Sequence, residues 1–169
     1  MIPLVLTASE ILAYHAGALT EIRRPVEPQP DPAVVRAAVV GPWCHFEDEA
    51  GPPNERGNRE GRMWTERCPL GAPGDLLFGQ EAWAAHWIYN DRLAEGARST
   101  LPGDNRWYQA DGDDAPGSCG CPAEGRRGMW RPAETMPEWA SRVRLVNRGV
   151  RAERADVWTW CVAVERGGQ

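Results

Sequence analysis

The sequence contains no lysine, because all 19 of its basic residues are arginine. Without a lysine amine, the chain cannot form a Schiff base, use a lysine general base or hold a phosphate through a P-loop lysine. Phenylalanine is also scarce, with 2 residues against 9 tryptophans. Nine tryptophans are more than one small core easily buries, so we expect at least one of them to line a binding cleft.

An excess of basic charge and a long apolar segment are missing as well. The 24 acidic residues outnumber the 19 basic ones, which gives a net charge of −5. This balance argues against a protein that binds polyanions through an overall basic surface, although it is compatible with a local basic groove. No apolar run approaches the ~20 residues of a membrane span, and residues 1–6 lack the charged region of a secretory signal peptide. We therefore expect a soluble cytoplasmic protein without a membrane partner.

Length and apolar pattern predict one domain over residues 1–169. Thr7-Ala8-Ser9-Glu10 has the pattern of a capping box, which predicts a helix at about 8–16 after a strand at 2–6. Residues 33–40 fit either a short helix or a buried strand. Further strands are predicted at 19–26, 76–88, 106–110, 142–153 and 157–165.

The remaining segments are rich in glycine and proline, with 18 and 15 residues in the chain. Such segments are typical of loops, and two long loops are predicted at about 41–74 and 90–129. Five or six strands, one N-terminal helix and long Gly/Pro-rich loops indicate an α+β fold that is mainly β. We expect a small β-barrel with the helix packed beside it.

The five cysteines are odd in number, and the expected compartment is reducing, so a disulfide framework is not predicted. Four of them, with one histidine, lie in the two long loops and offer thiolate and imidazole ligands for a structural zinc ion. These candidate ligands are Cys44, His45, Cys68, Cys119 and Cys121. The alternative is a set of reduced thiols with no metal, and no cofactor is required by the sequence.

Several motifs occur in an order that covers nearly the whole chain. They are Leu19-Thr20-Glu21-Ile22-Arg23-Arg24, Pro28-Gln29-Pro30, Cys68-Pro69-Leu70-Gly71-Ala72-Pro73-Gly74-Asp75, Glu81-Ala82-Trp83-Ala84, Trp130-Arg131-Pro132, Met136-Pro137-Glu138-Trp139-Ala140-Ser141-Arg142 and Val157-Trp158-Thr159-Trp160. Taken together they resemble the ASCH-domain family, in the form often encoded by tailed phages and prophages. The resemblance implies a PUA-like fold, which is a small, partly open β-barrel with a cleft beside its first helix. It also implies a role on RNA, nucleosides or nucleic acid, in the cytoplasm of a bacterial host.

One bacterial branch of that family hydrolyses the acetyl amide of N(4)-acetylcytidine with a lysine, a threonine and a glutamate. Matching Arg23-Arg24 to the family pattern puts Leu19 at the lysine position and Ile22 at the threonine position, and only Glu81 is retained. A threonine nucleophile needs a neighbouring base, and a lone glutamate needs a partner for the charge that develops on the amide oxygen. Binding of a ligand is therefore favoured over this hydrolysis.

The predicted cleft binds a nucleobase, a nucleoside or single-stranded nucleic acid. Arginine would hold phosphate through its planar fork, and tryptophan would stack on a base. The candidate binding residues are Thr20, Arg23, Arg24, Glu81, Trp83, Trp139 and Arg142. A structural ion pair between Glu81 and Arg24 is the alternative explanation for two of them.

Two other functions stay open from the sequence. The first is an amidohydrolase on acetylcytidine-type nucleosides, or a weak ribonuclease, with Glu81 as general acid and base and Arg24 as its oxyanion partner. The second is a structural or accessory phage protein with no small ligand. A cleft lined by convergent polar groups would argue against this last function.

Overall fold

The computed structural model describes residues 1–30, 32, 34–48, 63–85, 106–112 and 130–168. Within these residues the backbone forms ten strands and one α-helix, so the mainly β class is confirmed. The helix α1 spans Ala8–His15. The strands are β1 Ile2–Val5, β2 Glu21–Pro25, β3 Val34–Val40, β4 Trp43–Asp48, β5 Met63–Arg67, β6 Leu76–Gln80, β7 Trp83–Ala85, β8 Arg106–Tyr108, β9 Arg144–Arg154 and β10 Trp158–Arg166.

The main sheet has five strands in the order β1-β6-β9-β10-β2. β1 runs parallel to β6, and the other neighbours are antiparallel. The two strands with the strongest alternation, β9 and β10, form its central hairpin, and Trp158 and Trp160 are buried as predicted. In the described part of the chain no ladder joins the two edge strands, β1 and β2, so the expected barrel does not close. A proline in each edge, Pro3 and Pro25, removes donors that such a ladder needs.

The remaining strands form a three-stranded sheet, β3-β4-β5, and a pair, β7-β8. Residues 34–40 of the ambiguous segment 33–40 are thus a strand, and residue 33 lies outside the described residues. The long loop predicted at about 41–74 contains two strands that the sequence did not indicate, β4 and β5. β4 alternates, with Cys44 and Phe46 fully buried between more exposed neighbours, and this short alternation lies between glycine- and proline-rich stretches.

The helix α1 begins with the predicted capping box. The Thr7 hydroxyl accepts from the Glu10 amide at 3.2 Å, and the Thr7 amide donates to Glu10 Oε2 at 2.8 Å. Ile11 and Tyr14 are its buried residues, and the helix lies against the 3₁₀ helix Gln109–Asp111. None of the described helical segments has the length and hydropathy needed to span a bilayer.

Two hydrophobic clusters are packed between these elements. The larger joins the main sheet, α1 and the three-stranded sheet, and there Phe46 lies edge-on to Trp158 with ring centroids 5.2 Å apart. The smaller surrounds Trp83 and consists of Trp83, Ala85, Tyr108, Met136 and Ala140. The smaller cluster forms the base on which the charged side chains described below are held.

Gly79 marks the closest packing in β6. A Cβ atom on Gly79 would lie 2.6 Å from Leu6 Cδ1 and 2.7 Å from Val143 Cβ, closer than real contacts allow. This strand therefore needs a glycine so that β1 and the residues before β9 approach it closely.

Candidate functional site

Glu81 follows β6 directly and is 2% exposed, so its carboxylate is buried. Its partner is Arg142, which precedes β9. Arg142 Nε donates to Glu81 Oε1 at 2.8 Å and Arg142 Nη2 donates to Glu81 Oε2 at 3.0 Å. This is the bidentate geometry in which a guanidinium and a carboxylate orient each other most strongly.

The outer edge of the same guanidinium faces a second carboxylate. Arg142 Nη1 and Nη2 donate to the two oxygens of Asp111 at 2.8 and 2.7 Å. Asp111 lies in the 3₁₀ helix Gln109–Asp111 and its side chain is 41% exposed, whereas that of Arg142 is 23% exposed. The guanidinium is therefore fixed on its inner side by a buried group and bound on its outer side by an exposed one.

Tyr108 packs against one face of the Arg142 guanidinium. The Arg142 guanidinium lies over the Tyr108 ring at 4.2 Å from its centroid, which is a cation–π contact. Burial raises the pKa of the Tyr108 phenol, which stays protonated and donates to the Ala140 carbonyl at 2.8 Å. Burial acts to lower the pKa of Arg142, but the hydrogen bonds and charges of Glu81 and Asp111 outweigh it and hold that pKa above its ordinary value.

An aromatic group borders the ion pairs. Trp83 and Trp139 meet edge to face with ring centroids 5.9 Å apart, and the Arg131 guanidinium lies 5.4 Å from the Trp83 ring centroid. Trp83 is 2% exposed, so its ring belongs to the core. Trp139 is half-buried, which leaves part of its ring for stacking. We refer to Glu81, Asp111, Tyr108, Trp139 and Arg142 as the Arg142 site.

The structure brings together four of the predicted binding residues, Glu81, Trp83, Trp139 and Arg142. Arg24 does not pair with Glu81. Its Nη1 and Nη2 donate to the two oxygens of Glu10 at 2.8 and 3.0 Å, which ties β2 to the start of α1. The predicted oxyanion partner of Glu81 is therefore bound elsewhere, since its guanidinium reaches Glu10 of α1 and the Val5 carbonyl at the end of β1.

Arg23 and Thr20 are also placed outside the Arg142 site. Arg23 lies on the opposite face of β2 from Arg24 and bonds there to Glu21 at 2.8 Å and to Glu153 at 3.1 Å. Thr20 is exposed, and its carbonyl accepts from the Val164 amide at 2.9 Å. Neither makes a hydrogen bond to a residue of the Arg142 site in the described part of the chain.

The predicted zinc ligands are only partly described. Cys44 and Cys68 are buried in the core, and burial raises the pKa of the Cys44 thiol to about 11. His45 is next to Cys44 on β4 and so faces the other side of the sheet, where its Nδ1 lies 3.2 Å from Thr65 Oγ1. No three metal-ligating side chains cluster among the described residues, and Cys119 and Cys121 lie outside them. Zinc stays a prediction.

Sequence reasoning missed Tyr108 and Asp111 as members of the site. Tyr108 is on β8, where a short strand was predicted at about 106–110. Asp111 begins the segment Asp111-Gly112-Asp113-Asp114, which is typical of a solvated turn, and nothing in its pattern indicates an arginine partner.

Comparisons of the chain with protein-family models, with curated proteins and with solved structures returned no match.

Proposed function

We propose that this chain binds a nucleobase, a nucleoside or single-stranded nucleic acid at the Arg142 site, as a PUA-like ASCH domain in the cytoplasm of a bacterial host. The observation that carries the proposal is the Arg142 guanidinium, whose inner side is fixed by buried Glu81 and whose outer side meets only an exposed carboxylate among the described residues. A preoriented fork of this kind suits the two oxygens of a phosphate.

Asp111 has a specific place in this proposal. Its two carboxylate oxygens occupy the positions that two phosphate oxygens would take on Arg142. Since Asp111 is exposed and sits on a short 3₁₀ helix, a phosphate can replace it without disturbing the buried Glu81 pair. Trp139, half-buried against the cluster that contains Trp83 and Tyr108, then offers a face for a base.

The fold gives a second, weaker line of support. A PUA-like domain is expected to be a partly open barrel with a cleft beside its first helix. In this structure the five-stranded sheet is open, and its first strand, β1, leads into α1. α1 lies against the 3₁₀ helix that carries Asp111.

The test is a titration of a labelled single-stranded RNA, followed by fluorescence anisotropy at low and at moderate salt. Low salt favours detection, because phosphate contacts weaken as salt rises. Arg142→Gln is expected to weaken binding by about tenfold, and to reduce the slope of log K against log salt by about 0.7 if one phosphate contact is lost. Arg148→Gln is the matched control, since Arg148 is an exposed arginine paired with Glu165 on the outer face of the hairpin.

A second variant keeps the test informative if Arg142→Gln fails to fold. Asp111→Asn removes the competing carboxylate but leaves Glu81 on Arg142, so it is expected to tighten binding. Absence of binding by the wild-type chain at low salt would refute the proposal. Equal effects of Arg142→Gln and Arg148→Gln, or weaker binding by Asp111→Asn, would also count against it.

Hydrolysis of acetylcytidine-type nucleosides is the competing proposal, favoured only by the buried position of Glu81. Both oxygens of Glu81 are engaged by Arg142, so the carboxylate would have to leave that pair to transfer a proton. Incubation with N(4)-acetylcytidine distinguishes the two proposals. Release of cytidine that is abolished by Glu81→Gln would support the hydrolase. Binding without release of cytidine would support the proposed binding function.

A further inference from the structure

Arg106 lies at the start of β8, beside the Arg142 site, and is anchored there by one end of its guanidinium. Arg106 and Tyr108 are two residues apart on this strand, so their side chains lie on the same face of it. Arg106 Nη1 donates to the Trp139 carbonyl at 3.0 Å, and Tyr108 donates to the next carbonyl, that of Ala140, at 2.8 Å. The bond from Arg106 therefore fixes its guanidinium against the segment that carries Trp139.

The other edge of the Arg106 guanidinium has no acceptor in the described part of the chain. Its Nε is buried and makes no hydrogen bond. Its Nη2 makes none with a described residue either, but this atom is not buried. Leaving a buried donor unpaired costs free energy, and such donors are rare in folded proteins. An acceptor that enters from the surface at Nη2 and reaches Nε would remove this cost.

The unpaired edge of Arg106 is the same edge that Arg142 uses to bind Glu81. In Arg142, Nε and Nη2 donate to the two carboxylate oxygens of Glu81 at 2.8 and 3.0 Å. The two N–H bonds on this edge of a guanidinium run side by side, so they match two oxygens of one carboxylate or phosphate. We refer to the Nε–Nη2 edge of Arg106 as the Arg106 fork. Its geometry suits an oxyanion.

The two guanidiniums lie close to the same aromatic ring but differ in how their charge is balanced. Arg142 lies over the Tyr108 ring at 4.2 Å from its centroid. Burial raises the pKa of the Tyr108 phenol, and the charges of Arg106 and Arg142 both act against it, which places both charges near that ring. Glu81 and Asp111 balance Arg142, whereas no carboxylate among the described residues pairs with Arg106. An anionic group can therefore bind Arg106 without displacing a described side chain.

We propose that the ligand of the Arg142 site is a nucleic-acid strand that places one phosphate on the Arg106 fork and a second on the outer edge of Arg142. This inference rests on the function proposed above and narrows it, because a nucleobase or a nucleoside has no phosphate for either guanidinium. A single strand carries a phosphate on each side of a base. Trp139 accepts from Arg106 and lies three residues before Arg142, so one short segment connects both phosphate positions to the ring on which a base would stack.

The first experiment is the titration of labelled single-stranded RNA described above, repeated with variants of Arg106. Arg106→Gln is expected to weaken binding about tenfold and to reduce the slope of log K against log salt by about 0.7, and its combination with Arg142→Gln is expected to reduce that slope by about 1.4. A residue that only supports Trp139 would change the affinity without changing the slope. Arg67→Gln is the matched control, because Arg67 is exposed and has no carboxylate partner among the described residues either.

The second experiment observes the Arg106 fork in the wild-type chain, so it stays informative if Arg106→Gln fails to fold. The Nε–H resonance of Arg106 is followed by nitrogen–proton correlation NMR and is expected to shift downfield as the same RNA saturates the chain, because Nε gains an acceptor. RNA binding that leaves this resonance in place, or equal salt slopes for Arg106→Gln and Arg67→Gln, would overturn this inference and leave the proposed function standing. The absence of RNA binding at low salt would refute both.

Discussion

Replacing Arg24 with methionine is expected to destabilise the fold more than the same change at Arg23. Arg24 bonds to both oxygens of Glu10 and to the carbonyls of Val5 and Arg23, so one guanidinium joins β1, β2 and α1. Methionine keeps the apolar stem but makes none of these bonds. The variant leaves the Glu10 carboxylate and two carbonyls without that donor.

The size of the effect follows from the exposure of the pair, which is 26% for the Arg24 side chain and 17% for that of Glu10. Exposed ion pairs contribute roughly 0.2–1 kcal/mol, whereas breaking a buried pair costs roughly 3–5 kcal/mol. A pair of intermediate exposure lies between these limits, so Arg24→Met is expected to lower the free energy of unfolding by about 2–3 kcal/mol. For a chain of this size, that corresponds to a fall in Tm of roughly 5–10 °C.

The assay is urea and thermal unfolding followed by circular dichroism. Arg23→Met is the matched control, because Arg23 is adjacent, has the same side chain and is 58% exposed on the opposite face of β2. It is expected to change the free energy of unfolding by less than about 1 kcal/mol. If the two variants unfold within about 0.5 kcal/mol of each other, the role of Arg24 as a link between the three elements is refuted.

Three other predictions follow from the same structure. Burial acts to raise the pKa of Glu10, but the hydrogen bonds and charge of Arg24 and the bonds from the N-cap hold it below its ordinary 4.5. The stability that ionised Glu10 provides is therefore present above pH 4.5 and is lost as the pH falls through the folded pKa, so wild type and Glu10→Gln should converge in acid denaturation curves. Gly79→Ala should lower the free energy of unfolding by about 1–3 kcal/mol, while Gly149→Ala, whose added carbon meets its nearest neighbour at 4.0 Å, should be nearly neutral in the same urea titration. Cys44, buried and with its pKa raised to about 11, should resist iodoacetamide in the folded chain at mildly alkaline pH and react after unfolding, as read by peptide mass spectrometry.

Local sequence signals predicted the elements whose stabilising interactions are local. The capping box gave α1 within one residue, and clean alternation gave the β9-β10 hairpin. β4 and β5 were not predicted, because each is short and flanked by glycine and proline, which indicate loops. Closure of the barrel was also beyond sequence reasoning, since it depends on whether two edge strands approach each other.

The sequence indicated which types of residue occur in the site better than it indicated which of them pair with each other. Glu81, Trp139 and Arg142 were among the candidate binding residues, and the structure places Glu81 in a buried position directly after β6. The identity of its partner depends on which of several arginines reaches it in three dimensions, and 19 arginines give no local rule for choosing Arg142 over Arg24. Asp111 was missed for the same reason, because its contact with Arg142 spans 31 residues.

The strand order of the main sheet has a consequence for how the chain folds during synthesis. Both edge strands, β1 and β2, come from the first 25 residues, and the central hairpin comes from residues 144–166. Among the described residues β2 pairs only with β10 in this sheet, so it has no such partner until residues 158–166 have left the ribosome. Non-local pairing of this kind slows folding, because long loops must close before their contacts stabilise the chain. The early strands must therefore stay unpaired without aggregating, and Pro3 and Pro25 interrupt the donor pattern that would otherwise recruit neighbouring chains.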